Sequence, residues 1–596
     1  LIEIDKIHFS ETFYRVLWYK FEHIFNIKIK KFRRNKEMFR RKLLSVFVIY
    51  AFLLPGFALA QAPMRAPYAA PAEDIQKIMT EGRDNSQVMD MLSYMTDVIG
   101  GRLTNSPNMK RANEWTRDTM AKWGMQNAKL EAWGPFGRGW ALKEFSAEVI
   151  EPQGFPVIAY PKAWSPSTKG EVTGEVVHLN IKTDADFAKY KGKLKNAIVL
   201  VGNAREIKAD FEGFASRYTD AELLKMANAP NPALSPRRGG RFNASPEQIQ
   251  NFIDQRALAV KGLNFLLEEG AAVMVDNSFT GSGGTVFVSG ASVGGEPPKT
   301  IQDLFGGNGM SAYDKGAESK MVPQMTMASE DYNRLVRMLD HNTKLKMTVN
   351  IQTQYYDEDL MGYNTTAEIP GTDPKLKDEV VMLGGHLDSW HSSGGATDNA
   401  AGCAVAMEAA RILMASGLKP RRTIRVALWS GEEQGLNGSR EYVKQHFGEM
   451  EGGGRMAALM GGGSGKLVKK ADYEKLSAYY NMDNGTGQFR GIYTQSNPYV
   501  DTIFKTWMQP FNEWGVSTVT LLNTGGTDHL SFDAIGLPGF QFIQDEIEYS
   551  ARTHHSNQDN YDRLQEQDLK RNAVIMAAFV YQTAMMDEKI PRKAMN

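Results

Sequence analysis

The sequence predicts an α/β protein: a mixed, largely parallel sheet with helices on both faces, plus an inserted β-rich domain. Three observations predict it. From about residue 360 the apolar pattern alternates between short buried strands and amphipathic helices. Between 165 and 350 it changes to short apolar runs separated by Gly-rich turns. The chain has 596 residues, 42% of them hydrophobic and 23% charged, which is globular composition at a length too great for one core.

The elements follow in chain order. Residues 1–37 precede Met38 and are expected to be an upstream extension outside the working protein. Residues 38–60 are expected to be a signal peptide. Arg40, Arg41 and Lys42 form the basic start, Leu43–Phe57 the apolar stretch, and Ala58-Leu59-Ala60 the small-x-small cleavage pattern. The alternative is a membrane anchor, but the run is short and carries Pro55 and Gly56 near its end. Cleavage near Ala60 would give a secreted or periplasmic protein with no stable membrane anchor. Residues 1–60 hold 12 basic and 5 acidic residues, so the remainder carries 57 basic and 64 acidic, a net of −7. That balance argues against a nucleic-acid partner, which wants a basic face. Cys403 is the sole cysteine, so no intramolecular disulfide forms; a bacterial periplasmic protein suits this better than a eukaryotic secreted one.

Residues 61–164 are expected to begin the catalytic domain. Residues 61–85 are Pro- and Ala-rich and read as extended. Gln87–Leu92 opens one helix and Asn108–Trp123 forms a second, with Gly100-Gly101-Arg102 as the loop between them. The inserted domain is expected over 165–350. It holds an Ala197–Val201 strand, a Gln255–Glu269 helix, an Ala271–Val275 strand and a Ser278–Gly295 loop. The rest of the catalytic domain is expected over 351–596. Its strands are Val380–Leu383, Thr423–Trp429, Ser477–Met482 and Gly539–Ile543. Its helices are Ala400–Ala415, Gly438–His446 and Leu569–Met586. The Gly461–Lys466 run resembles a phosphate loop but fails: Met460 stands where the first glycine is needed, and Leu467 replaces the Ser/Thr.

The chemistry-bearing residues fall at strand ends, where sheets of this type place their sites. His386 leaves the end of the first strand, and Asp388 two residues on points to the same side, able to receive the other imidazole N–H. A structural histidine would read the same. Asp398 lies in a Gly/Ala-rich turn before a helix, where an ordinary N-cap would also fit. Glu432 and Glu433 are adjacent carboxylates after a hydrophobic strand; one can bind a metal while the other takes a proton, although a solvated acidic turn looks similar. Asp483 ends another strand, and His554-His555 follow later. Jointly these supply two histidines, three carboxylates and a spare glutamate, the inventory for two divalent ions sharing one carboxylate.

In order and spacing these motifs resemble the co-catalytic zinc metallopeptidase family twenty-eight, which contains bacterial leucyl aminopeptidases and carboxypeptidase Q. His386-Leu387-Asp388-Ser389-Trp390 and His554-His555-Ser556 look closest to the carboxypeptidase Q branch. Lys191–Val201 resembles the protease-associated module inserted in that branch, and Asn364–Gly371 the strand that re-enters the catalytic domain. The resemblance implies the zinc-exopeptidase fold, two Zn2+ per chain, short peptide substrates and a homodimer. It implies that Asp398 bridges the two zincs, that His386 and Asp483 complete one site, and that Glu433 and His555 complete the other. Glu432 would be the general base and Asp388 the orienting carboxylate. His555 is chosen over His554 because the family ligand stands four residues before an aspartate, here Asp559. His554 and Asp528 are offered for substrate or oxyanion contact, and the peptide after Asp398 is expected to be cis. The chain departs from its branch at His529, which follows Gly525-Gly526-Thr527-Asp528. Two other readings share the fold: a non-catalytic binding relative, which should have lost ligands or base, and a single-zinc glutaminyl cyclase-type enzyme, which metal content would separate. Finally, Glu433 and Asp483 are 50 residues apart, and the Gly-rich Gly448–Lys470 segment between them is read either as a flap over the cleft or as a plain surface insertion.

Overall fold

The structure is a computed structural model, and it describes residues 66–234, 245–305, 309–452 and 465–594. The expected upstream extension, the signal peptide with its cleavage point, and Gly461–Gly463 of the rejected phosphate loop lie outside these residues. Among the described residues no helix is long and apolar enough to cross a membrane.

The first sheet has eight strands in the order Gln126–Trp133, Gly362–Ile369, Thr423–Trp429, Val380–His386, Leu476–Asn481, Gly539–Gln544, Phe489–Tyr493 and Thr518–Thr520. The third to sixth of these run parallel. His386 pairs with Trp429, and Gly384 with Asn481. The C-terminal ends of the central strands therefore share one edge, and residues just past them converge there. Val380–His386 is buried throughout, as a central strand covered on both faces must be.

Helices cover both faces, as expected. Ala72–Asp84, Ala401–Ala415 and Glu566–Met585 share one core with the strand residues Val381, Leu383 and Val426. Tyr442 and Val443 of the Asn437–His446 helix, with Phe532, pack on the other face. Alanine dominates Ala401–Ala415 because the helix crosses the sheet closely. A Cβ on Gly402 would stand 2.2 Å from the Met482 carbonyl, and one on Gly385 2.7 Å from the same oxygen. Cys403 is buried in this helix. The extended reading of 61–85 is corrected over its second half: Ala72–Asp84 is an amphipathic helix that buries Ile75, Ile78 and Gly82. Proline ends at position 71, where it leads into the helix, so the Pro-rich composition belongs to the approach alone.

The second sheet also has eight strands, and its limits differ from 165–350. It begins at Gly139–Glu151, which pairs antiparallel with Lys346–Tyr356 over nearly its whole length. The strands Val172–Leu179, Ile198–Val201, Val273–Asn277 and Gln324–Met327 run parallel at its centre. The Pro246–Glu269 helix is longer than expected because Ser245 and Gln248 form a capping box ahead of Pro246, and Gly270 closes it in a left-handed conformation.

Gly448–Glu451 and Lys466–Lys469 pair as an antiparallel ribbon. This ribbon is the base of the segment read either as a flap or as a plain surface insertion; residues 453–464 between its strands lie outside the described residues. Met450 and Leu467 pack against the core that holds Val380 and Leu476, and the Lys475 carbonyl accepts from the Val380 N–H. The ribbon base thus stands at the start of the central strands, about 20 Å of strand away from His386. None of the segment's described residues lines the cleft at the other edge.

Candidate active site

The strand end carries His386 into a buried position. Its Nδ1 lies 2.9 Å from the main-chain carbonyl of Asp388. A carbonyl can only accept, so Nδ1 carries a proton, and Nε2 is the nitrogen left to face the carboxylates. That Nε2 faces Asp398 Oδ1 at 3.3 Å and Asp483 Oδ1 at 3.5 Å. Burial pulls this imidazole down, but the Asp483 and Glu432 charges outweigh it and hold it well above the ordinary value. The histidine is therefore surrounded by carboxylates rather than by the apolar contacts of a structural one.

Asp398 does not cap a helix. The following helix starts after Ala400 with no side-chain cap. The loop is held from behind: Asp559 accepts the N–H of Thr397 at 2.7 Å and of Asp398 at 3.0 Å. The Asp398–Asn399 peptide is cis, as expected. Asp398 Oδ2 then faces His555 Nε2 at 3.4 Å, and Glu433 Oε2 faces the same nitrogen at 2.9 Å. One carboxylate thus stands between two ligand groups. His386, Asp398 and Asp483 bring ligand atoms within 4.8 Å of one another, and so do Asp398, His554 and His555. The His554 ring lies tilted against His555 with centroids 3.8 Å apart and packs against Tyr549, so it lines the cleft beside the pair Glu433–His555.

Glu432 and Glu433 are not a solvated turn. The Glu433 side chain is only 1% exposed. Burial, reinforced by neighbouring carboxylates, holds both well above the usual carboxylate range. Asp398 Oδ2 and both Glu433 carboxylate oxygens are buried without a hydrogen-bond donor in bonding geometry. Buried carboxylate oxygens that lack donors are satisfied by a proton or by a cation, and a cluster of several sharing two imidazoles suits a cation. The donor set, imidazole nitrogen with carboxylate oxygen, suits a borderline divalent ion.

Asp388 differs from its expected contact. Its carboxylate lies 3.7 Å from His386 Nδ1, and its main-chain oxygen makes the bond instead. The carboxylate accepts from Thr104 Oγ1 at 2.9 Å and from the N–H groups of Glu432 and Glu433 at 3.3 Å each. It shapes the turn that presents the two glutamates. Asp528 is fully buried and is not among the residues lining the cleft, so it is not placed for substrate contact; burial pushes its carboxyl up to about 7. Behind it, desolvation pulls His529 down to about 4.

Arg102, Asp559 and Tyr218 were not singled out in the sequence as parts of the site. The buried Arg102 guanidinium donates to the carbonyls of Leu387, Gly394 and Gly395 at 2.7–2.8 Å, tying the His386 strand end to the Asp398 loop. Asp559 entered the sequence argument only as a spacing marker; burial and then the Asp398 charge raise it to about 7. Tyr218 reaches the cleft from the segment after Ile198–Val201, held by its N–H to Asp545 Oδ1 at 3.0 Å. The cleft itself measures about 700 Å³, within the range of small-ligand sites.

Residues 364–580 match peptidase family M28. Carboxypeptidase Q from Bos taurus is 25% identical over 532 residues, covering 88% of this chain and 91% of its own. Aminopeptidase YwaD from Bacillus subtilis (strain 168) is 26% identical over 284 residues, 46% of this chain and 53% of its own. A crystal structure of a peptidase M28 precursor from Shewanella amazonensis SB2B superposes with a TM-score of 0.57 at 20% identity, covering 88% of this chain and 99% of that one; it supports the fold.

Proposed function

Because this chain carries a domain of peptidase family M28 over residues 364–580, we propose that it is an exopeptidase acting on short peptides at two metal sites that share Asp398. The observation that carries the proposal is the division of the Asp398 carboxylate, Oδ1 toward His386 and Oδ2 toward His555. His386, Asp398 and Asp483 would hold one zinc; Asp398, Glu433 and His555 would hold the other. When bound, such ions supply the Lewis acidity that lowers the pKa of a water and polarises a carbonyl.

The chain's own residues then do the following. Glu432, beside Glu433 but not needed as a ligand, accepts the proton of the attacking water on its carboxylate and returns it to the leaving amine. Asp388 holds the Glu432 main chain in place for this transfer. Leu436, Tyr493 and Tyr549 line the cleft around the ligands, and its size favours a short peptide over a folded chain. The basic-apolar-small pattern of residues 38–60 supports export with maturation near Gln61. Mass spectrometry of protein from its natural host tests that point, and an intact Leu1–Glu37 segment would refute it.

Metal analysis with peptidase assays tests the function. Two zincs per chain, and dipeptide hydrolysis lost on chelation and restored by zinc, are expected. One zinc per chain with glutaminyl cyclisation would overturn the proposal in favour of a cyclase on the same fold, and two zincs without hydrolysis in favour of a binding protein.

A further inference from the structure

The loop that carries His555 is not held by the catalytic sheet alone. His555 adopts a left-handed backbone, with φ +56°, a conformation uncommon for a residue other than glycine. Its surroundings come from the loop that follows the Val273–Asn277 strand of the second sheet. The Val288 N–H donates to the His555 carbonyl at 2.9 Å, and Phe287 bridges Ser556 in antiparallel fashion. The Asn557 N–H donates to the Val286 carbonyl at 3.1 Å. Its side chain closes the register from both directions: Oδ1 accepts from Val286 N–H at 2.8 Å, and Nδ2 donates to the Gly284 carbonyl at 3.2 Å. The strip is itself anchored. Val286 and Val288 are buried against Ala328, and the Phe287 N–H donates to Ser278 Oγ at 3.0 Å. Trp390 joins that cluster and reaches the His555 ring, with centroids 5.9 Å apart.

We propose that Asn557 is a positioning residue through which the Gly284–Val288 strip, part of the loop after Val273–Asn277, sets the metal affinity of the His555 site, and of that site alone. This rests on the two-metal function proposed above. His386 and Asp483 leave central strands of the first sheet, whose register does not involve the strip. His555 has no such strand, so its ring is aimed by a main-chain ladder to another part of the fold. A side chain that makes both an acceptor and a donor bond at the end of that ladder is the point where one substitution loosens it. Orienting groups of this kind typically change metal affinity about 10–100-fold.

The experiment equilibrates the full-length wild type and Asn557→Ala with graded chelator, and measures zinc per chain alongside the thermal midpoint of the metal-free protein. The expected result is that Asn557→Ala gives up one of two zincs at about tenfold lower chelator activity, holds the second as the wild type does, and leaves the metal-free midpoint within a few degrees. A defect in the fold as a whole would instead lower that midpoint and release both ions together, which would overturn the proposal. Unchanged release of both zincs would overturn it as well. Should Asn557→Ala fail to fold, Asn557→Ser, whose side chain is too short for either bond, carries the same test with the same two refuting outcomes. If the wild type itself holds fewer than two zincs, the function proposed above fails, not this inference alone.

Discussion

Replacing Glu432 by glutamine separates chemistry from assembly. The amide keeps the volume of the side chain and leaves the main-chain N–H on Asp388 Oδ1 undisturbed. What it removes is a carboxyl whose ionised form is opposed by burial and by Asp483, Asp528 and Glu433, and favoured only by His386. The fold should therefore lose nothing, and the metal-free protein should melt at the same temperature or higher. Metal content should stay at two, because the ligands assigned are His386, Asp398, Glu433, Asp483 and His555. Catalysis should fall, since an amide cannot take the water proton. General-base removal costs about 10²–10⁴-fold in rate, or roughly 3–5 kcal/mol of barrier. The assay is kcat and KM on a dipeptide, with zinc content and thermal midpoint measured on the same preparation. Turnover within tenfold of wild type at two zincs per chain would refute Glu432 as the base. Loss of one zinc would instead show that it is a ligand.

His555→Ala should lose one zinc and activity, whereas His554→Ala should keep both; metal analysis decides, and zinc loss in the His554 variant alone would reverse the assignment. Asp388→Asn places an amide where three donors converge, and kcat should drop about 10–100-fold with zinc retained, because the main-chain carbonyl of Asp388 still holds His386. Early zinc loss in that variant would show that the carboxylate orients the ring. Arg102→Met leaves the carbonyls of Leu387, Gly394 and Gly395 buried without their donor, which should destabilise the protein by about 3 kcal/mol or more in denaturant titration; a change below about 1 kcal/mol would refute its role as a tie. Replacing Gly452–Gly465 by a short turn should leave kinetics across peptide lengths unchanged, since the ribbon base is remote from the cleft; altered length dependence would restore the flap.

The positions proposed as ligands were legible because each follows a local rule. A buried apolar strand ends, and the next polar residue projects from the edge, so His386, Glu433 and Asp483 can be located from the strands that precede them. The parallel pairing of those strands then brings residues distant in sequence to one place. What holds the ligands was not legible, because it depends on partners far along the chain. Asp559 binds Asp398 across 161 positions, and Arg102 reaches Gly395 across 293. Nothing in either neighbourhood marks the contact. Asp388 shows a finer limit. Alternation along a strand predicts the side on which it projects, but not that its main chain would serve His386 while its carboxylate turned to the following strand's exit. The edges of the second sheet were misplaced for a related reason. Gly139–Glu151 is half-exposed and polar, and only its long antiparallel partner, Lys346–Tyr356, makes it a strand. The Ala72–Asp84 helix was hidden by the proline-rich residues before it.

The way Arg102, Thr104 and the Val286–Val288 strip reach into the catalytic centre bears on how the protein can be dissected. The stretch that matches the family begins at residue 364, yet a fragment started there would be cut off from all three. Asp388 would lose the Thr104 hydroxyl, the Asp398 loop would lose its guanidinium tie, and the His555 carbonyl would lose its donor. It would also expose the face of Ala401–Ala415 that Ala72–Asp84 covers. The compact unit that keeps these contacts together is the chain from Pro67 onward, and boundaries drawn from the matched stretch would cut through it.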